Sequence, residues 1–218
     1  MKKTIFLLIL CFTLPLLSCG KENELYNKVS DLRYDVLVGK TENYELKAYA
    51  EIKETPLNYD GKVGETANYI TFTIVNDVPD SVYTCAFTID KKEYSGSFAL
   101  DFTGGKYRSS VEIQSKVLSP LTVTVFNAGK VEKAELKSVL PENTLSPEKA
   151  LIKLKEKNPS LFDYFRDGNG IFDAEIQLKA TEKNGKAYYF VGITGGNERK
   201  IFLADGINAE VLAVRTVA

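Results

Sequence analysis

The sequence predicts a mainly antiparallel β chain that closes on a small unit of mixed helix and strand. Three observations predict it. Apolar residues alternate with polar ones over at least eight short runs before residue 139, the period of a half-buried strand. Turn-forming residues separate neighbouring runs. A single stretch after residue 145 then switches to helical spacing before alternation resumes.

The first elements lie beyond a polar stretch, residues 20–31, which reads as a tether, so that the expected tether is 19–31 and the expected first domain 32–140. Within that domain 32–38 is the first strand. Tyr44, Leu46, Ala48, Ala50 and Ile52 alternate with Glu45, Lys47, Tyr49, Glu51 and Lys53, and Ile70, Phe72 and Ile74 alternate with Thr71 and Thr73. Further runs follow at 83–89, 94–101, 107–114, 121–126 and 131–138. Asp90-Lys91-Lys92-Glu93 and Thr103-Gly104-Gly105-Lys106 are the expected hairpin turns between them. About eight short strands with frequent turns favour an immunoglobulin-like antiparallel β-sandwich. A small barrel is the alternative that the pattern leaves open.

Ser138 to Asn143 reads as a linker, and a second domain is expected over 145–218. Ser146-Pro147-Glu148 is a helix start: a capping hydroxyl, a proline in the first turn, and an acid at the positive end of the dipole. Ala150, Leu151 and Leu154 share one face. Asn158-Pro159 interrupts the helix, a second short turn carries Leu161, Phe162 and Phe165, and Asp167-Gly168-Asn169-Gly170 ends it. Strands follow at about 172–181, 187–194, 199–205 and 210–216, with Asn184-Gly185 as a hairpin turn. The expected unit is a helix packed on a small antiparallel sheet.

Composition narrows the chemistry. The chain has 218 residues and no histidine, which removes His-dependent triads, Cys–His dyads and nearly all catalytic zinc sites. Of three cysteines, Cys11 and Cys19 lie in the leader region described below. Cys85 therefore has no internal disulfide partner, and it shares an alternating face with Phe87 and Ile89, as a small buried hydrophobe would. Without Lys2 and Lys3 the basic residues fall from 28 to 26 against 29 acidic. Both signs are interspersed, so no footprint for nucleic acid is present.

The first twenty residues read Met-Lys-Lys, then an apolar run from Ile5 to Leu17 that Pro15 interrupts, then small residues. These are the parts of a secretory signal in order, and the run is shorter than the roughly 20 residues that span a bilayer. Leu16-Leu17-Ser18-Cys19 resembles the lipobox of bacterial lipoproteins. That resemblance implies a signal peptide over 1–18 and a mature chain lipidated at Cys19, anchored on the extracytoplasmic side of a cell membrane or outer membrane. Gly20 in place of Asp favours the outer membrane in a two-membrane cell.

The last third carries a second resemblance. Pro147-Glu148-Lys149-Ala150-Leu151, Glu175-Ile176-Gln177-Leu178, Asn184-Gly185-Lys186-Ala187-Tyr188-Tyr189-Phe190-Val191 and Asp205-Gly206-Ile207-Asn208-Ala209-Glu210-Val211-Leu212 are similar to a PepSY-type module. The family's Asp-Ala-x-Thr-Gly-Glu-Val-Leu ending appears here with Gly206 in place of Ala, and with Asn208-Ala209 in place of Thr-Gly. The resemblance implies an α+β domain of secreted bacterial proteins that modulates or inhibits proteases. It implies no catalytic residues.

Four candidate sites stand out. Asp163, Asp167, Asn169, Asp173 and Glu175 surround a glycine-containing loop, but EF-hand spacing is broken by Arg166 and Gly168, and a helix-ending turn accounts for the glycines. Gly195-Gly196-Asn197 lacks the context of a phosphate loop and reads as a hairpin turn. Tyr49 projects from a polar strand face, where a glycan or peptide ligand would find an aromatic surface. Paired carboxylates for hydrolysis carry no motif. The expectation is a membrane-anchored, non-catalytic binding module without cofactor or metal, its partner an envelope protein, peptide or glycan. The alternatives are a PepSY-type modulator of envelope proteases and a carboxylate-dependent hydrolase.

Overall fold

The computed structural model describes residues 24–56, 58, 60, 62–74, the backbone of 75, 82–101 and 105–217. The expected signal peptide 1–18, Cys19, residues 20–23 of the expected tether, and Thr103 and Gly104 of the expected hairpin turn lie outside the described residues. The fold is mainly β, with two short helices among the described residues. After a 3-10 turn at Tyr26–Lys28, the strands are β1 (Val29–Lys40), β2 (Glu45–Glu54), β3 (Thr66–Val75), β4 (Tyr83–Ile89), β5 (Lys92–Ser97), β6 (Ala99–Asp101), β7 (Lys106–Ile113), β8 (Leu121–Asn127) and β9 (Lys130–Ser138). Helices α1 (Pro147–Lys157) and α2 (Pro159–Asp163) follow, then β10 (Glu175–Lys183), β11 (Lys186–Gly195), β12 (Glu198–Asp205) and β13 (Val211–Val217).

Nine strands form a half-barrel sheet in the order β13-β12-β11-β10-β1-β2-β3-β7-β6, and β5-β4-β8-β9 form an antiparallel meander. Every junction in the long sheet is antiparallel except β1–β10, which is parallel. The strands of the two expected units are thus joined in one continuous sheet. The reason lies in β1. One edge of it pairs along nearly its whole length with β2. The other edge is divided: Val29–Arg33 pair with β10, and Leu37–Val38 pair with β9. A bulge between Arg33 and Asp35 separates the two stretches, which is how one strand turns from one neighbour to another.

The expected tether is also corrected. Leu25 is buried among the helix-side residues, and Ser30 and Asp31 are buried within β1. Glu24 accepts hydrogen bonds from Arg166 Nη1 at 3.3 Å and Nη2 at 3.4 Å. Burial alone would raise the Glu24 carboxyl, but the bond and charge of Arg166 outweigh it and hold it below the usual range. A polar composition concealed this, because the segment is anchored by one leucine and one ion pair.

Two hydrophobic cores lie on the same face of the long sheet. Along β2, Leu46, Ala48 and Ala50 belong to the first core, and Ile52, two residues further along the same face, packs on the second. The meander closes the first core with Tyr83, Cys85, Phe87, Val123, Val125 and Leu136, and Phe72 meets Phe87 edge-on at 5.1 Å. The 94–101 run is two strands rather than one. β5 pairs with β4 in the meander and β6 pairs with β7 in the long sheet, so the chain changes layers at Phe98, which is buried. Gly96 lies at that crossing, where a Cβ would meet Ser109 Oγ at 2.5 Å. The Asp90–Lys91 turn is a two-residue hairpin with both residues at positive φ, 48° and 66°.

Helices α1 and α2 cover the second core. Ser146 Oγ caps α1 by accepting from Lys149 N at 3.4 Å, and Ala150, Leu151 and Leu154 are buried against Ile176, Leu178, Val191 and Phe202. Phe162 of α2 packs edge-on against Phe202 at 6.1 Å. Phe172, expected to begin a strand, makes only an isolated bridge to Arg166, and β10 starts at Glu175.

Glycine at position 206 has a structural account. Gly206 N donates to Ala187 O, and Gly206 O accepts from Leu145 N. A Cβ there would sit 2.6 Å from Ala187 Cβ and 2.7 Å from its carbonyl carbon, so glycine is required by close approach. Gly206→Ala is expected to cost about 1–3 kcal/mol through overpacking, with Tm lowered by several degrees in a thermal melt. An unchanged Tm would show that this contact yields freely.

Candidate functional site

A candidate site is the cleft of about 540 Å³ where the two cores meet. It is built around the β1 bulge. Tyr34, the residue between the two registers, packs on both cores. Its hydroxyl accepts from Val117 N at 2.8 Å, and Lys116 Nζ lies 5.8 Å from the ring centroid. Beside it Asp35 Oδ1 accepts from Ser138 Oγ at 2.6 Å and from Val36 N at 2.8 Å. Burial pushes the Asp35 carboxyl above its ordinary range despite these bonds. From the other side Tyr189 donates to Leu145 O at 2.6 Å, and burial raises its phenol too. Tyr26 of the 3-10 turn and Glu148 of α1 complete the rim.

Two properties distinguish this cleft. Three tyrosines, at positions 26, 34 and 189, converge on it from three elements. The Thr144 hydroxyl on its wall is buried without a hydrogen-bond partner, capacity that a ligand or water would use. A second hollow of about 310 Å³, lined by Leu25, Leu151, Ile152 and Pro159, adjoins it across Tyr26 and Glu148. A larger trough of about 810 Å³ over β4, β5 and β8 is floored by Thr88, Thr122 and Thr124, and its Tyr94 ring is already stacked on Phe87 at 5.5 Å.

The face of the long sheet opposite both cores is polar and partly buried. Arg33 Nε and Nη2 bind Glu51 Oε1 at 3.0 and 2.9 Å, Thr71 donates to Glu51 Oε2 at 2.9 Å, and Lys53 stands 3.7 Å away. Burial would raise Glu51, but Arg33 outweighs it and holds the carboxyl low. Lys179 pairs with Asp31 at 2.5 Å, and Arg199 Nη2 donates to Gln177 Oε1 at 2.7 Å. Tyr49 lies in this network with the Arg33 guanidinium 3.8 Å above its ring. Its aromatic face is occupied from within the chain by a cation–π contact.

Glu175 is the exception on that face. It is fully buried, and neither carboxyl oxygen has a hydrogen-bond partner. Burial, then the negative charges of Glu54 and Asp60, push it up to about 7, with Arg199 opposing.

The acids around the 167–170 turn do not converge. Asp167 Oδ1 accepts from Asn169 N and Ile171 N, both at 2.9 Å, and these backbone bonds to the charged form hold its carboxyl low. Asp163 binds Arg166 at 3.2 Å, while Glu175 is buried on the opposite sheet face. Among the described residues no group of three or more His, Cys, Asp or Glu side chains is placed to hold a metal ion. Gly195 ends β11 and Gly196, at φ 58°, turns into β12, a hairpin as expected. Cys85 is buried in the first core, and burial pushes its thiol up to about 11, away from the reactive thiolate.

The sequence reading missed Tyr26, Tyr34, Asp35, Thr144 and Tyr189 as a group. One local signal was present: alternation along β1 breaks at Tyr34-Asp35-Val36-Leu37, the mark of a bulge. Comparison with family models, with curated proteins and with solved structures finds no match.

Because the Glu175 carboxyl is raised from 4.5 in the folded chain, the folded state binds its proton more tightly than the unfolded state. The contribution of Glu175 to stability is then fully present below about pH 4.5 and is lost as pH rises through about 7. After allowance for screening the decline amounts to about 1–3 kcal/mol. Glu175→Gln is expected to flatten that part of the profile in urea titrations at stepped pH. An equal slope in the variant would assign the pH dependence to other groups.

Proposed function

We propose that the protein is an extracytoplasmic lipoprotein, anchored through Cys19, that acts as a non-catalytic binding module with its ligand site in the cleft at the core junction. The observation that carries the binding reading is the convergence of Tyr26, Tyr34 and Tyr189 beside a buried, unpartnered Thr144 hydroxyl. Aromatic walls with a few placed polar groups are the usual form of a small-ligand site, and such sites favour junctions between packed units. The aromatic faces, Asp35 and Lys116 fit a glycan or a short peptide of an envelope partner. The anchoring rests on the Leu16-Leu17-Ser18-Cys19 motif.

The finer architecture belongs to the same reading. The meander packed on β1–β3 and β7 supports an immunoglobulin-like sandwich for β1–β9, and α1 against β10–β13 supports a PepSY-like module. A second function follows from that module: modulation of envelope proteases, favoured by the motifs at 147–151, 175–178, 184–191 and 205–212.

Glycan and peptide arrays probed with the full chain test the binding reading. Tyr26→Ala and Lys116→Glu are expected to weaken the strongest retained ligand by about tenfold or more, near 1.4 kcal/mol, with Tm unchanged in Lys116→Glu. Turnover of that ligand, abolished by a single carboxylate substitution, would replace the binding module with a hydrolase. Binding indifferent to both variants would move the site elsewhere. The anchor is tested separately by intact mass of the membrane-extracted chain beside Cys19→Ala, a diacylglyceryl increment being expected in the first alone.

A further inference from the structure

The sheet ends at β13, and this edge is built differently from the others. β13 pairs with β12 from Arg199↔Val217 to Leu203↔Ala213 and, beyond a bulge at Leu212, through Ala204↔Val211. Among the described residues no strand pairs with its outer side, so the outward N–H and C=O groups from Ala213 to Val217 form an open ladder. From Leu212 on every residue is exposed, with Leu212 at 49%, Val214 at 52% and Val217 at 38%. Chains ordinarily blunt such an edge with brevity, charge or proline. β6, at the opposite end, has three residues, and β5, at the meander's edge, begins Lys92-Glu93. β13 reads Val-Leu-Ala-Val-Arg-Thr-Val, with one charge and no proline.

The apolar surface also runs past its cover. Phe202 of β12 is buried beneath the helices, while Val214, its partner on β13, is half exposed on the same face. Along that face Val214 and Thr216 are exposed.

We infer that β13 is a self-association edge, at which two copies of the chain pair antiparallel about a two-fold axis at Val214 and extend the sheet from one copy into the next. The strand is complementary to itself in this register. Val214 meets Val214 of the second copy. Arg215, the one charged residue, meets its Ala213, so no like charges stand opposed. A strand binding its own copy needs a neutral residue opposite its only cation, whereas a foreign strand selected by charge would place an acid there. The interface is isologous and closes at two copies.

Sedimentation equilibrium of the full chain in detergent, over a range of about 1 to 100 micromolar, tests this. The expected result is a dimer whose Kd rises about tenfold or more in Val214→Lys, with the variant still folded by circular dichroism. Val131→Lys, on the exposed end of β9, controls for added charge and leaves the dimer intact. A monomer throughout the range overturns the inference, as does a dimer indifferent to Val214→Lys. A monomer that instead captures an added extended peptide overturns it in favour of a foreign strand.

Discussion

The divided pairing of β1 is the constraint on which the remaining structure depends. A single strand gives its first half to β10 and its second half to β9, while β2 follows it along the other edge. Parallel pairing needs a long connection, and here the meander, the linker and both helices supply it between β1 and β10. Two cores therefore share one sheet, and the bulge that allows the division places Tyr34 between them. The cleft follows from the same geometry: where the β9 and β10 neighbours part, no strand fills the gap, and tyrosines from the 3-10 turn, β1 and β11 line it.

Placing both cores on one face leaves the other to polar side chains. Glu51 is buried at acceptable cost because Arg33 and Thr71 bind it, and Asp31 because Lys179 does. A buried charge without such partners is costly. Glu175 has none and is accommodated by taking up a proton near neutral pH. This polar face holds the β1–β10 junction in register, since Asp31 and Gln177 stand opposite one another within it.

Much of the fold was legible in the sequence, and for physical reasons. Strands such as 83–89 were read residue for residue because one face is buried and one solvated, so alternation is strict. Helix α1 was legible from Ser146 and Pro147, whose roles at a helix start are local chemistry. The sharing of β1 was not legible, because pairing partners are chosen by topology and not by the strand's own pattern. The layer change at Phe98 was hidden for a related reason: alternation continues through it while hydrogen-bond partners change. In the candidate site Tyr49 drew attention through polarity on its own strand, yet its ring is used by Arg33. Tyr34, Thr144 and Tyr189 meet only in space, and no local spacing announces them.

A cleft between two independently moving units would lose its shape whenever they parted, and a shared sheet prevents that. The meander-covered and helix-covered parts of the sheet are expected to unfold as one. Native-state hydrogen exchange at increasing denaturant measures it directly, comparing amides of β2 around Ala48 with those of β11 around Val191. Both sets should converge on a single opening free energy with the same denaturant dependence. Exchange of the β11 set through a separate, lower-energy opening would show two domains that merely touch, and the shared strand would lose its place as the organising element.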